Sequence, residues 1–175
     1  MDGNSALTLG GTNYSICKLV MSGNSLLIAA QGIQATLWFD TPENCGFPEA
    51  QTTTQISMTG NSKIAATSGD PNSIRMVLEG SDDPNFPTKV DLAGTTASQN
   101  EVVIYAPRTE VILRGNATYK GAFAGKTVEI QGEPTVLKLD NLTGINIPAL
   151  IHYTRDRYVE CTGLPGPGQD PDIGC

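Results

Sequence analysis

Residues 102–136 read VVIYAPRTEVILRGNATYKGAFAGKTVEIQGEPTV, and the stretch repeats itself. Val111, Leu113, Gly115, Ala117 and Tyr119 each have a counterpart 17 residues on, in Val128, Ile130, Gly132, Pro134 and Val136. Both copies run apolar–x–apolar–x–Gly, with Ile112 and Arg114 between the apolar positions of the first and Glu129 and Gln131 between those of the second. Side chains therefore alternate with a period of two, as in a short strand, and a glycine closes each copy at a corner. Strand, corner and strand recurring at one length is the pattern of a β-solenoid, whose coils stack in parallel and bury their apolar positions together. The register predicts that Val111, Leu113, Val128 and Ile130 point inward and stack. Upstream, APRT (106–109) resembles AGKT (124–127) at a step of 18, one residue more, as a bulge between adjacent coils would produce.

The same corner phrase recurs outside this stretch. MSGNS (21–25) returns as MTGNS (58–62) and, more loosely, as LRGNA (113–117), while LAG (92–94) supplies a further corner. Glycines at 23, 60, 94, 115 and 132 are separated by 37, 34, 21 and 17 residues, which we read as two coils, two coils, one coil and one coil. The expected fold is thus all-β: a single-stranded, right-handed parallel β-helix with about 17–21 residues per coil and disulfide-clipped loops. Two segments leave the wall. One is DTPENCGFP (40–48), whose prolines cannot continue a strand and beneath which Trp38 and Phe39 are expected to pack. The other is GSDDPNFP (80–87), where Asp82, Asp83 and Asn85 are oxygen ligands suited to calcium. That loop has neither a nonapeptide calcium repeat nor a twelve-residue calcium pattern, so it reads as a solvated acidic turn.

Residues 141–152 are loosely apolar, 153–160 are charged, and the remainder is rich in Pro and Gly. An open solenoid end exposes apolar core and unpaired backbone, so 141–175 is read as a capping segment and tail of the same domain as 1–140.

Only 6% of the 175 residues are aromatic, against 19 Gly and 11 Pro. A sandwich of this size normally carries more aromatic anchors, whereas a solenoid fills a narrow core with Val, Ile, Leu and Ala and needs many corners. The net charge of −7 argues against a nucleic-acid or anionic-lipid partner. There is no run of eighteen apolar residues, and no signal-peptide profile stands at the start. Because LTLG (7–10) already resembles the end of a coil, the expectation is that the domain is tethered through an upstream segment lying outside this sequence.

The four cysteines, Cys17, Cys45, Cys161 and Cys175, lie in two pairs near the two ends, with no CxxC and a single histidine, which disfavours zinc. Of the three connectivities, Cys17–Cys45 with Cys161–Cys175 is favoured because both close short loops at the ends of the array. The competing reading is free buried thiols. The first bridge would contribute roughly 3–4 kcal/mol in the chain-entropy model and would point to an oxidising compartment.

The phrases NYSICKLVMSGNSLL, FDTPENCG, ISMTGNSKI and VIYAPRTEVILRGNATYKGAFAGKTVEIQG resemble an uncharacterised β-solenoid domain at the C-terminus of bacterial pilus-assembly (PilX-like) and related envelope proteins. The resemblance covers most of residues 7–140 and rests on Tyr105-Ala106-Pro107, Arg114-Gly115-Asn116, the segment 121–128 and Gly132. It implies export, a membrane-anchored or pilin-like segment upstream, and a role at the cell surface; it implies no reaction. The family often ends in an HYD phrase, and His152-Tyr153-Thr154 lacks the aspartate, so no role is carried to that position.

β-Helices also host polysaccharide lyases and hydrolases that use charged clusters on one outer face. The residues here that suit such a role are Arg108, Lys126, Glu110, Glu129 and Asp140, with Arg108 and Lys126 stacked closely enough to bind an acidic sugar. An outward charged row is also what keeps a sheet soluble. His152 has no nucleophile elbow beside it. The single run Thr52-Thr53-Thr54 is not the ladder that ice binding needs, and the sequons at Asn13, Asn116 and Asn141 occur at chance level. The expectation is a non-enzymatic, extracellular structural or adhesive domain with no catalytic residues, cofactor or metal. Its partners would be other surface or pilus subunits or glycans, with no membrane contact by this fragment; the alternative is a carbohydrate-binding or carbohydrate-active β-helix.

Overall fold

The computed structural model describes residues 1–138. Short runs of alternating apolar residues broken by Gly, Asn and Pro become strands β1 (Ala6–Leu9), β2 (Asn13–Ile16), β3 (Leu19–Met21), β4 (Leu26–Ala29), β5 (Ala35–Phe39) and β6 (Thr53–Met58). They continue as β7 (Lys63–Ala66), β8 (Ile74–Leu78), β9 (Thr88–Gly94), β10 (Gln99–Gly115), β11 (Thr118–Gly132) and β12 (Thr135–Lys138). One 3-10 turn, Pro71–Ser73, is the only helical element among the described residues. Every strand pairing among them is parallel.

The pairings show how the chain circulates. It passes three stations in rotation: β1, β4 and β7 at the first, β2, β5 and β8 at the second, and β3, β6 and β9 at the third. β10 pairs with both β8 and β9, so the second and third stations join in one nine-stranded sheet of order β2-β5-β8-β10-β9-β6-β3, and β11 and β12 follow from β10. Residues in register point the same way, which lines up apolar columns. Tyr14, Leu37, Met76, Ile104 and Phe123 form one. Leu19, Ile56, Val90, Val111 and Val128 form a second, and Met21, Met58, Leu92, Leu113 and Ile130 a third. The middle members are buried, most to within a few per cent.

The predicted 17-residue register is present: Val111 pairs with Val128 and Leu113 with Ile130. Burial differs from the expectation, however. Val111 and Leu113 are enclosed, but Val128 and Ile130 are 44% and 56% exposed. They are the last members of their columns, since β12 pairs only with Thr118 to Gly121 and among the described residues no strand pairs beyond the third-station part of β11. The bulge is also larger than the sequence step implied. Ala106 pairs with Gly125, 19 on, and Glu110 with Thr127, 17 on, so three residues of β10 face one of β11.

Coil length requires a correction. Leu26 pairs with Lys63 and Leu19 with Ile56, 37 residues on, and Thr53 pairs with Thr88, 35 on. Each interval is one turn of the chain, not two. The 17–21 residue unit holds for the first return at the first station, from Ala6 to Leu26, and for the returns from β9 to β10 and from β10 to β11, whereas that from β8 to β10 takes 28 residues. The middle turns carry insertions, which corner glycines cannot reveal because added residues leave the cross-section unchanged.

Those glycines stack for a steric reason. Gly115 has φ +84°, and a Cβ there would lie 2.2 Å from the carbonyl oxygen of Gly94 in the layer before, an impossible approach. Beside this column runs a polar ladder in which the Asn24 amide donates to Asn4 (2.9 Å), that of Asn61 to Asn24 (3.1 Å), and the Thr95 hydroxyl to Asn61.

Where β10 passes β7, side chains replace the backbone ladder. The amide of Ile64 donates to Asn100 Oδ1 (3.0 Å) and that of Ala66 to Glu101 Oε2 (3.2 Å), so β7 keeps its donors satisfied. Lys120 sits 3.5 Å from Glu101 and donates to the Gly69 carbonyl at 2.7 Å. Tyr119 is fully enclosed, and its hydroxyl donates to the Leu92 carbonyl at 2.6 Å. Burial pushes its phenol up to about 12.

Phe39 lies in the core at 1% exposure. Trp38 takes the opposite face of β5, half-buried, with its indole N–H donating to Asn13 Oδ1 at 3.2 Å, so only Phe39 is an interior residue of the pair. The expected Cys161–Cys175 bridge, the cap at 141–175, Asp140, Asn141 and His152 lie outside the described residues.

Candidate functional site

Most of the extra residues of the middle turns emerge at one corner, between the second and third stations, while the corner between the first and second lengthens less, from residues 10–12 to 30–34 and 67–73. In the first layer the main corner is Cys17 and Lys18 alone; in the next it is residues 40–52, then 79–87, then the bulge 107–109, and in the layer of β11 it narrows to Lys126. A parallel wall with its long loops gathered at one edge is an arrangement by which rigid scaffolds display binding residues.

The loops are tied down. Cys17 and Cys45 form a disulfide with Cα atoms 5.7 Å apart, fastening the second layer's insertion to the first. This is the predicted pairing. The amide of Ala50 donates to the Asn85 carbonyl (2.7 Å) and that of Thr53 to the Pro87 carbonyl (2.8 Å), which joins the two insertions by backbone. Ser81 donates its hydroxyl to Glu43 across the same gap. At the foot, Gln55 Nε2 donates to the Asp40 carbonyl at 2.7 Å. Asp83 accepts from the amide of Asn85 (2.9 Å), and Asp82 pairs with Arg108, so these carboxylates are engaged within the protein. No group of three or more His, Cys, Asp or Glu is placed to hold a metal ion among the described residues.

Arg108 and Lys126 both belong to this corner. The Arg108 Nε lies 2.6 Å from Asp82 Oδ1, and a guanidinium nitrogen donates to the Glu79 carbonyl at 3.4 Å. Lys126 stands in register with the bulge, is exposed, and makes no ion pair among the described residues. Glu110 and Glu129 lie instead on the outer face of the third station, half-buried and exposed respectively. The strongest charge pair on that face was not anticipated from the sequence. Arg114 grips Asp91 through two hydrogen bonds of 2.6 and 2.5 Å, with Lys89 at 3.7 Å from the same carboxylate. Arg114 and Asp91 are on neighbouring strands, two positions out of direct register, so no linear motif marks them. The loop corner did leave a trace in the sequence: both insertions follow a second-station strand and both contain Phe-Pro, at 47–48 and 86–87.

Chemically the residues of this corner include six carboxylates, Asp40, Glu43, Glu49, Glu79, Asp82 and Asp83, and the cations Lys18, Arg108 and Lys126. Comparison with curated proteins found no match, and comparison with solved structures found none either. The sequence pattern described as Domain of unknown function (DUF7305) matches residues 49–143, more than half of the chain and the part that holds the second insertion, Arg108 and Lys126, so this protein belongs to that family.

Proposed function

We propose that this chain is a non-enzymatic structural or adhesive domain of a bacterial surface or pilus-associated protein, folded as a single-stranded right-handed parallel β-helix and binding through its loop corner. The observation that carries the reading is the convergence of the two longest insertions, the disulfide, Arg108 and Lys126 on one corner of the wall. Right-handed winding follows from the strong preference of parallel strand connections for that hand. The Cys17–Cys45 disulfide supports folding in an oxidising compartment, as a surface role requires. The partners that suit the corner are other surface or pilus subunits or glycans. The exposed Lys126 next to Arg108 favours an acidic glycan as the second reading.

The test is binding of the purified domain to envelope proteins and to a panel of acidic and neutral polysaccharides, with reducing-end release measured in parallel. A variant in which 81–86 are replaced by a short Gly/Ser linker should lose binding and keep its melting transition. Release of new sugar ends by the wild-type domain would make it an enzyme and defeat the proposal.

A further inference from the structure

The outward residues of the second station make columns of their own, alternating with the buried ones. Of the aromatic residues in the described strands, Tyr14, Phe39, Tyr119 and Phe123 belong to the core or pack against it, and only Trp38 and Tyr105 point outward, both half-buried. They share one column, Ser15, Trp38, Val77, Tyr105 and Ala124. Two inter-strand intervals, about 9.5 Å, separate the two aromatic positions, with Val77 between them. The indole N–H of Trp38 donates to Asn13 Oδ1 at 3.2 Å, so its ring is oriented by the protein before any ligand arrives.

The chemistry of the face is that of a flat stacking surface. The adjoining outward column, which starts at Asn13 and Thr36, supplies polar groups beside the rings, the combination by which small sites hold an amphipathic ligand. The two columns together carry one charged residue, Arg75, and no carboxylate. An anionic chain would meet that one cation against a protein of net charge −7, whereas a neutral chain needs no charge partner.

We infer that this outer face binds an extended, neutral, β-1,4-linked polysaccharide, with one pyranose stacked on Trp38 and the next but one on Tyr105. Axial C–H bonds of a pyranose suit the electron-rich face of an aromatic ring. In a β-1,4-linked chain alternate sugars turn the same face to one side, at an interval close to the two inter-strand spacings between these rings. A coiled α-linked glucan cannot bring alternate sugars into line along a straight column. The face uses none of the loop-corner residues, so this inference stands apart from binding at that corner.

Trp38 is the single tryptophan of the chain, which makes its fluorescence a reporter of this face. The experiment titrates the full, disulfide-intact chain with β-1,4-linked oligomers of glucose and of N-acetylglucosamine, from the disaccharide to the hexasaccharide, following Trp38 emission and its quenching by acrylamide. The trisaccharide is the shortest oligomer that reaches both rings. Affinity should therefore rise about ten-fold between disaccharide and trisaccharide, the gain from one further stacked ring, and the bound sugar should shield Trp38 from acrylamide. Tyr105→Leu should remove that step while keeping the reporter. By calorimetry, Trp38→Phe should retain binding and Trp38→Leu lose it, each with the melting transition intact. Replacement of 81–86 by a Gly/Ser linker should leave the titration unchanged; its loss there would place the sugar at the loop corner and overturn the inference. Absence of binding, a titration with no step at the trisaccharide, or equal affinity for α-1,4-linked glucose oligomers overturns it without recourse to any variant. A Trp38 already shielded from acrylamide in the free chain would show the face to be covered, and would overturn it as well.

Discussion

The layer made by β4, β5 and β6 and the layer made by β10 surround the same columns, yet they are built differently. The first takes 37 residues to reach its counterpart position and breaks into three separate strands; the second runs unbroken from Gln99 to Gly115 and reaches the next layer in 19 and then 17 residues. The inward residues are equivalent in both: Leu37 and Ile104 flank Met76, and Met58 and Leu113 flank Leu92. All of the difference appears at the corners, above all the one that receives residues 40–52. The cross-section is therefore set by close packing of the columns, which leaves no room for extra residues inside, while backbone that leaves the wall reaches water and need satisfy only its own polar groups. The two layers also differ in what holds them. The unbroken layer is held by pairing to β11 along most of its length and, on its other side, to β8 over 103–105 and β9 over 110–115, and the inserted one adds a disulfide and loop-to-loop hydrogen bonds.

The largest expected effect separates the middle of a column from its end. Leu113→Asp places a carboxylate in an enclosed site and should abolish the folding transition, since its cost of several kcal/mol is comparable with a whole domain's stability of about 5–15. Ile130→Asp, in register with it but 56% exposed, should cost under about 1 kcal/mol by chemical denaturation. Equal losses in the two would mean that the column does not end where we place its end.

Next comes the clip. Cys17→Ser with Cys45→Ser should lower stability by about 3–4 kcal/mol, and amide exchange should accelerate first in β2 to β6. Protection in β10 should persist, because a layer flanked on both sides opens later than one that depends on its staple. Uniform loss of protection along the chain would erase the contrast between the layers.

Alkaline pH probes the unbroken layers. The Tyr119 phenol is pushed up to about 12 by burial, so the folded state favours its neutral form. Its contribution is complete below about pH 10, the ordinary tyrosine range, and disappears as pH rises through the folded value. The loss is on the order of 2–3 kcal/mol, and a Tyr119→Phe variant should show no such alkaline slope in its melting temperature. A slope that survives the substitution would place the titrating group elsewhere.

The smallest effect belongs to the loop corner. Arg108 and Asp82 form their ion pair with side chains 40% and 81% exposed, so Arg108→Ala should shift stability by less than about 0.5 kcal/mol, and less still in high salt. A loss as large as that from the disulfide would show that the corner holds the fold together and does not simply ride on it.

Much of the wall was legible from residues alone. Alternation with a period of two, closed by glycine and repeated at 17, reports parallel stacking because each position in such a layer must match the one above it. The Cys17–Cys45 pair was legible for a related reason: loop closure favours near neighbours in sequence. What the residues could not supply was the count of turns. A gap of 37 between corner glycines is as consistent with two short coils as with one coil plus a loop, and only the pairing of Leu26 with Lys63 decides between them. Burial at the ends was hidden too, since Val128 repeats Val111 in type and register but differs in having no partner layer among the described residues. The candidate site was legible residue by residue, in Arg108, Lys126 and the two Phe-Pro loops, yet not as a place. Residues 17, 45, 82, 108 and 126 become one corner only when the layers are superposed. Likewise Asp91 meets Arg114, and Asn100 meets the amide of Ile64, through contacts 23 and 36 residues apart that no local pattern encodes. Sequence determined the repeating unit, because each layer obeys the same local geometry; tertiary structure decided which residues share a corner, because that depends on how much chain each turn absorbs before it returns.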